Sequence, residues 1–179
     1  MVYVLIGVIL LAIIVPILLV LPSTRQKERM QMRMIARAAG VSVELTSIDD
    51  PNPKQDKYIT YTGKRIPAVL KVVAYRLQRK REREWRQLPK VSWCLSKDLD
   101  NNWHWKSELN EAMNKELAGW LQDVAPGLPA DVIQIEEDSY TISVYWHERI
   151  KGEEQAVLDF LKNSGELLLI EPSPRDAAE

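Results

Sequence analysis

The side chains best suited to chemistry are few: one cysteine, Cys94, and two histidines, His104 and His147, among 179 residues. A thiol and two imidazoles brought to one point would make a metal site, or, joined by a carboxylate, a nucleophile and its base. Their spacing supplies neither, because there is no close ligand pair and three distant segments would have to converge. His147-Glu148 would open a zincin helix only with a second histidine at position 151, which is Lys151. Asp98-x-Asp100-x-Asn102 starts like a calcium loop, but Trp103 and Leu109 stand where glycine and glutamate are needed, so a polar turn is expected. Gly63-Lys64 has Tyr58 and Arg65 where a phosphate loop needs glycine and a hydroxyl. No Gly-x-Ser-x-Gly occurs. The sequence therefore designates no catalytic residue, no metal ligand and no cofactor, and it reads as non-enzymatic. The alternative is an enzyme whose site forms only in three dimensions around Cys94, His104 and His147.

Charge and hydropathy carry more information. Val2 to Leu21 is a run without a charged or amide side chain, and at about 1.5 Å per residue it covers about 30 Å, the thickness of a bilayer core. A membrane anchor containing Pro16 is predicted, with partners in the lipid. The run lacks the basic start and small-residue cleavage site of a signal peptide, which predicts that it is uncleaved. Arg25, Lys27, Arg29, Arg33 and Arg37 follow it and no Lys or Arg precedes it, so the N-terminus should lie outside and the remainder in the cytoplasm. These cations suit anionic lipid headgroups. A second basic set, Lys71, Arg76, Arg79, Lys80, Arg81, Arg83, Arg86 and Lys90, contrasts with the acidic residues that dominate from Asp131 onward. It reads as a patch for lipid or a protein partner. The net charge of −1 makes nucleic acid a poorer match, although a tethered nucleic-acid binder is a second alternative.

Positioning these residues requires elements that the periodicity outlines. Ser23-Thr24-Arg25-Gln26 has a capping-box pattern and Gly40 a helix-ending position, predicting a basic juxtamembrane helix with Met30, Met34 and Ala38 as its apolar stripe. Val41, Val43 and Leu45 alternate as a strand. Ala68 to Leu77 and Glu84 to Leu95 read as two strands of a hairpin turning through Arg79 to Arg83. A helix should start at the Ser107 cap and stop at Pro126-Gly127. Val132 to Ile135 and Tyr140 to Trp146 should form a hairpin around Glu136 to Ser139, followed by a helix ending at Gly165 and a strand within Glu166 to Ile170. The six tryptophans, densest at Trp103-His104-Trp105, read as core and cross-strand packing. The fold class is α+β: residues 1–22 an anchor, 23–40 the basic helix, 41–170 a soluble domain, and 171–179 a disordered tail. From Val91 onward the order β-α-β-β-α-β matches a ferredoxin-like unit.

The segment Leu21-Pro22-Ser23-Thr24-Arg25-Gln26-Lys27-Glu28-Arg29-Met30, following a hydrophobic run, resembles the membrane exit of the YajC-type accessory subunit of the bacterial Sec preprotein translocase. Gly40-Val41-Ser42-Val43 occupies the place of that family's Gly-Asp-x-Val step, without its aspartate, and residues beyond about Ile48 have no counterpart there. In layout the chain also resembles uncharacterised inner-membrane proteins of Gram-negative bacteria. The resemblance implies a bacterial inner-membrane accessory or scaffold subunit that works within a membrane-protein complex.

Overall fold

A computed structural model describes residues 2–20, 23–80 and 89–170, with side chains of the first stretch at 2–7 and 9–15. Leu21 and Pro22, the Arg81 to Arg83 hairpin end, the start of the Glu84 strand and the predicted tail at 171–179 lie outside the described residues. Helix α1 (Val2–Val20) is 19 residues long and has no acidic or basic residue in its first or last turn. Among the described residues, which omit the side chains of Val8 and 16–20, no helix is long and apolar enough to cross a membrane. None of the described α1 side chains joins a buried cluster; Tyr3 is 89% exposed and Leu11 63%.

Helix α2 (Thr24–Ala38) forms as its ends prescribe. The Ser23 hydroxyl accepts from the Gln26 backbone N–H at 3.3 Å while Ser23 N–H donates to Gln26 Oε1 at 2.8 Å, the reciprocal capping box. At the other end Gly40, at φ +83°, closes a Schellman turn in which Gly40 N–H bonds Arg37 O and Val41 N–H bonds Ala36 O. The apolar stripe is not the predicted one. Met32 and Ala36 are buried against the sheet, whereas Met30 and Met34 are 57% and 67% exposed. Two apolar stripes share this helix, and the rotation adopted is the one that also delivers Arg33 to a buried carboxylate.

The strands are β1 (Ser42–Asp49), β2 (Val69–Gln78), β3 (Trp93–Lys97), β4 (Trp103–Trp105), β5 (Val132–Asp138) and β6 (Thr141–Trp146). They make one antiparallel sheet in the order β1-β2-β6-β5-β3-β4. The remaining helices, α3 (Lys115–Val124) and α4 (Glu154–Glu166), cover with α2 the face of the sheet that presents Val73, Tyr75, Leu95, Ile135, Val144 and Trp146. A smaller apolar cluster of Val72, Ala74 and Tyr145 lies on the reverse face. The architecture is thus α+β, helices packed on one face of an antiparallel sheet.

Several expectations about connectivity are corrected. β2 pairs with β1 and β6, so it is not the hairpin partner of the following strand. The ferredoxin-like order fails because β3 lies beside β5 and runs antiparallel to it. The cause is β4, a three-residue strand that folds back on β3 through the Asp98 to Asn102 turn. This extra reversal before α3 makes the returning strand antiparallel to β3, where a βαβ crossover would make it parallel. The last predicted strand is a single bridge between Ile170 and Met113. That contact, with Asn114 N–H donating to Leu169 O, holds residues 110–114 out of the helix; α3 is capped by Asn114 rather than started at Ser107. The β5–β6 turn is two residues, Ser139 and Tyr140, both with positive φ, so Glu136 and Glu137 belong to the strand.

Candidate functional site

The strand-end residues that follow β6 organise the region next to α2. Trp146 is fully buried, packs edge-on to Tyr75 at 5.2 Å, and is followed by His147 and then Glu148, whose backbone sits at φ +52°. That left-handed geometry, uncommon for a residue with a Cβ, accompanies a carboxylate that is 0% exposed. There it accepts from Arg33 Nε at 2.9 and 3.0 Å, from Arg33 Nη2, and from the Tyr75 hydroxyl at 2.9 Å. Its carbonyl accepts from Arg29 Nε at 3.3 Å. The hydrogen bonds that Arg33 donates to Glu148 outweigh desolvation and hold Arg33 above its ordinary pKa. Burial, reinforced by Glu148, pushes the Tyr75 hydroxyl up, so it remains a proton donor. These contacts fasten α2 to the sheet.

Beside this anchor point opens a cleft of about 610 Å³ between α2, β1, β2 and the chain leaving β6. Its rim carries Arg29, Arg33, Lys71 and Arg149, and no Asp or Glu lines it among the described residues. Leu45, Val73 and Trp146 supply an apolar lining, and the buried Trp146 Nε1–H has no hydrogen-bond acceptor among the described residues. Arg29 and Arg149 also border a neighbouring recess of about 410 Å³ that adds Arg25 and Lys151 together with the carboxylates of Glu28 and Glu148. The two hollows share Arg29 and Arg149 and adjoin as a trough beginning in the first turn of α2, with the cleft basic and the recess mixed in charge. His147 lies in the cleft; burial first, then Arg149, lowers its pKa below the ordinary 6.5, keeping the ring neutral at neutral pH. The trough can hold an anion through guanidinium and ammonium groups while offering apolar surface below.

A second ionic cluster is closed to solvent. Arg79 donates to Glu137 from Nε at 2.6 Å and from Nη2 at 2.8 Å, and Trp93 Nε1 donates to the same carboxylate at 2.9 Å. Arg79 Nη1 also reaches Leu167 O. Only 4% of the Arg79 side chain and none of Glu137 is exposed.

The predicted basic patch on residues 71–90 is therefore not one surface. Lys71 joins the cleft, Arg76 pairs with Glu44 on the other side of β2, and Arg79 is interior; Lys80 and Lys90 are exposed, and Arg81, Arg83 and Arg86 lie outside the described residues. Of the acidic residues of the C-terminal half, Glu137 and Glu148 are withdrawn from the surface, neutralising Arg79 and Arg33 inside the fold. Of the predicted juxtamembrane cations, Arg25, Arg29 and Arg33 border the trough, while Lys27 and Arg37 are exposed on α2.

Cys94, His104 and His147 do not converge. His104 is on edge strand β4, opposite Ser96, and β3 and β5 separate β4 from β6; three strand spacings amount to about 14 Å. Half-burial and Glu136 push the Cys94 thiol up to about 11. The Ser96 hydroxyl lies 3.3 Å from His104 Nε2, but Ser96 is 1% exposed and closed to a substrate. Among the described residues no group of three His, Cys, Asp or Glu could hold a metal ion. The Asp98 turn is a polar turn as expected, with Asp98 Oδ1 accepting from the N–H groups of Asp100 and Asn102. Tryptophan packing also follows expectation: Trp93 meets Trp105 edge-on at 6.4 Å and Trp120 stacks on Phe160 at 5.5 Å.

Tyr75, Glu137, Glu148, Arg149 and Lys151 are contributors that sequence reasoning missed. A signal existed for Glu137, which has the same strand parity as the buried Ile135. Comparison of the chain with family models, curated proteins and solved structures finds no match.

Proposed function

We propose that this chain is a single-pass accessory or scaffold subunit of a bacterial inner-membrane assembly, its α+β domain held in the cytoplasm against the bilayer and recognising a protein partner there. The observation that carries the reading is the junction of a charge-free 19-residue helix to a basic helix that is clamped onto the sheet by Arg33, Glu148 and Tyr75. An apolar helix with side chains as bare as those of Tyr3 and Leu11 needs cover that the described residues of the domain do not supply, and hydrocarbon is the cover that suits twenty consecutive uncharged residues. Clamping α2 makes its basic residues a fixed feature of the membrane-facing side, and the exposed Met30 and Met34 give a neighbouring subunit an apolar foothold on the same helix. The YajC-like exit segment supports the same assignment.

The test is the full-length chain with a C-terminal affinity tag, expressed in a Gram-negative host and extracted in mild detergent after an alkaline carbonate wash. Retention through the wash and recovery with a stoichiometric membrane-protein partner are expected. Release by carbonate removes the anchor, and a strictly monomeric species with nothing co-purifying removes the subunit assignment.

A further inference from the structure

We infer that the trough between α2 and the β1–β2–β6 end of the sheet is a binding site for an anionic phospholipid, with the phosphate on the arginine and lysine rim and the acyl chain on the apolar lining. Three independent features converge on this chemistry. Arg29, Arg33, Lys71 and Arg149 border a cleft that no carboxylate lines among the described residues, where only Arg33 of the four forms an ion pair, with Glu148 beneath it; Glu28 and Glu148 border the adjoining recess. Forked guanidinium groups around a recess match a phosphate better than they match a single carboxylate. Apolar surface from Leu45, which is 70% exposed, sits within the same hollow, and a free phosphate has no use for it. The trough also opens at Arg25, five residues beyond the end of α1 and so at most about 18 Å of extended chain away.

The clamp explains why this is a site and not diffuse attraction. A mobile basic segment gathers anionic lipid without choosing a headgroup. Here the Arg33 guanidinium is held by Glu148, Arg29 Nε is engaged by the Glu148 carbonyl, and the Arg149 backbone N–H is fixed by Asp131 Oδ2 at 2.8 Å. The Arg29 and Arg33 side chains therefore need little ordering when an anion arrives. Choosing a lipid over a soluble phosphate ester rests on the membrane reading above; the anion site itself rests on the geometry alone.

The experiment titrates the full-length chain, in mild nonionic detergent, with dihexanoyl phosphatidylglycerol, dihexanoyl phosphatidylcholine and glycerol phosphate, reading heat and tryptophan fluorescence. Saturable binding of phosphatidylglycerol is expected, at least about tenfold tighter than either other ligand. Lys71→Gln with Arg149→Gln removes two exposed cations and should weaken it about thirtyfold. Leu45→Asp should reduce the lipid to the affinity of glycerol phosphate. Phosphatidylcholine binding as tightly as phosphatidylglycerol, or an indifferent double variant, overturns the anion site; glycerol phosphate binding as tightly as the lipid overturns the amphiphile. Thermal melts identify any variant that has simply unfolded, in which case Lys71→Gln alone decides the matter. Carbonate retention is scored separately: a retained chain that ignores the lipid defeats the site and leaves the anchor, and a released chain that binds it does the reverse.

Discussion

Two buried carboxylates, each hydrogen-bonded to an arginine, should differ sharply in what their removal costs. In Glu137→Ala the abandoned partner is Arg79, whose side chain is 4% exposed and hemmed in by β2, β5 and the chain at Leu167. It cannot reach water without opening the core, and Trp93 Nε1–H loses its acceptor as well. A stranded buried charge costs about 3–5 kcal/mol and an orphaned N–H about 1–3, with partial overlap, so about 4–5 kcal/mol is expected. That is a large part of the stability of an ordinary domain, about 5–15 kcal/mol. In Glu148→Ala the partner is Arg33, 24% exposed on a surface helix and able to turn outward, leaving chiefly the Tyr75 hydroxyl unsatisfied. About 2–3 kcal/mol follows. Urea unfolding of the full-length chain in mild detergent, with midpoints and slopes compared, measures both. Arg79→Met with Glu137→Leu, which fills the space without charge, should recover at least half of the Glu137→Ala loss. If Glu148→Ala proves the costlier of the two, or the apolar pair is no better than Glu137→Ala, exposure of the stranded partner is not what sets the cost.

Two further outcomes follow from the same structure. Met32→Ala should destabilise the protein by about 2–4 kcal/mol, because Met32 is 1% exposed, while Met30→Ala and Met34→Ala should stay within about 0.5 kcal/mol in the same unfolding measurement. Asp50 organises the β1–β2 connection: burial alone would raise its pKa, but hydrogen bonds from the Tyr58 hydroxyl at 2.5 Å, the Asn52 N–H at 2.8 Å and Lys57 at 3.0 Å outweigh it and lower the value below the ordinary 3.8. The folded state then binds this proton less readily than the unfolded one, so the contribution is fully present above about pH 4 and fades as pH falls through the lower folded value. Asp50→Asn should flatten that part of the stability profile measured between pH 5 and pH 2.5, and an unchanged acid limb would refute the assignment.

Particular residues show where sequence reading succeeds. The capping box at Ser23 and the Gly40 turn are short-range chemistry, in which each donor and acceptor lies within five residues of its partner, and both ends of α2 are in place. Alternation located β1, β6 and most of β5, since side-chain parity is a local property of extended backbone. Reading failed where a choice depended on something distant. Three residues, Trp103 to Trp105, suffice for β4, too few to announce a strand by period, yet their reversal decides how β3 and β5 run. The β5–β6 turn uses Ser139 and Tyr140 at positive φ without glycine or asparagine, so the usual turn signal was missing and Glu137 was assigned to a loop.

The trough shows the same division. Sequence alone established that α2 is basic, that it directly follows an uncharged apolar helix, and which cations it carries, because composition and helical spacing require no tertiary information. Which of its two apolar stripes turns inward, which arginines are consumed by buried carboxylates and which remain on a rim were decided by the tertiary structure. Glu148 lies 115 residues from Arg33 in the chain, and its pairing partner is set by strand order and by a single left-handed residue at the end of β6. Charge counts add along a sequence, but neutralisation acts over a few ångströms of folded space, so a basic run and a basic surface become the same thing only after folding.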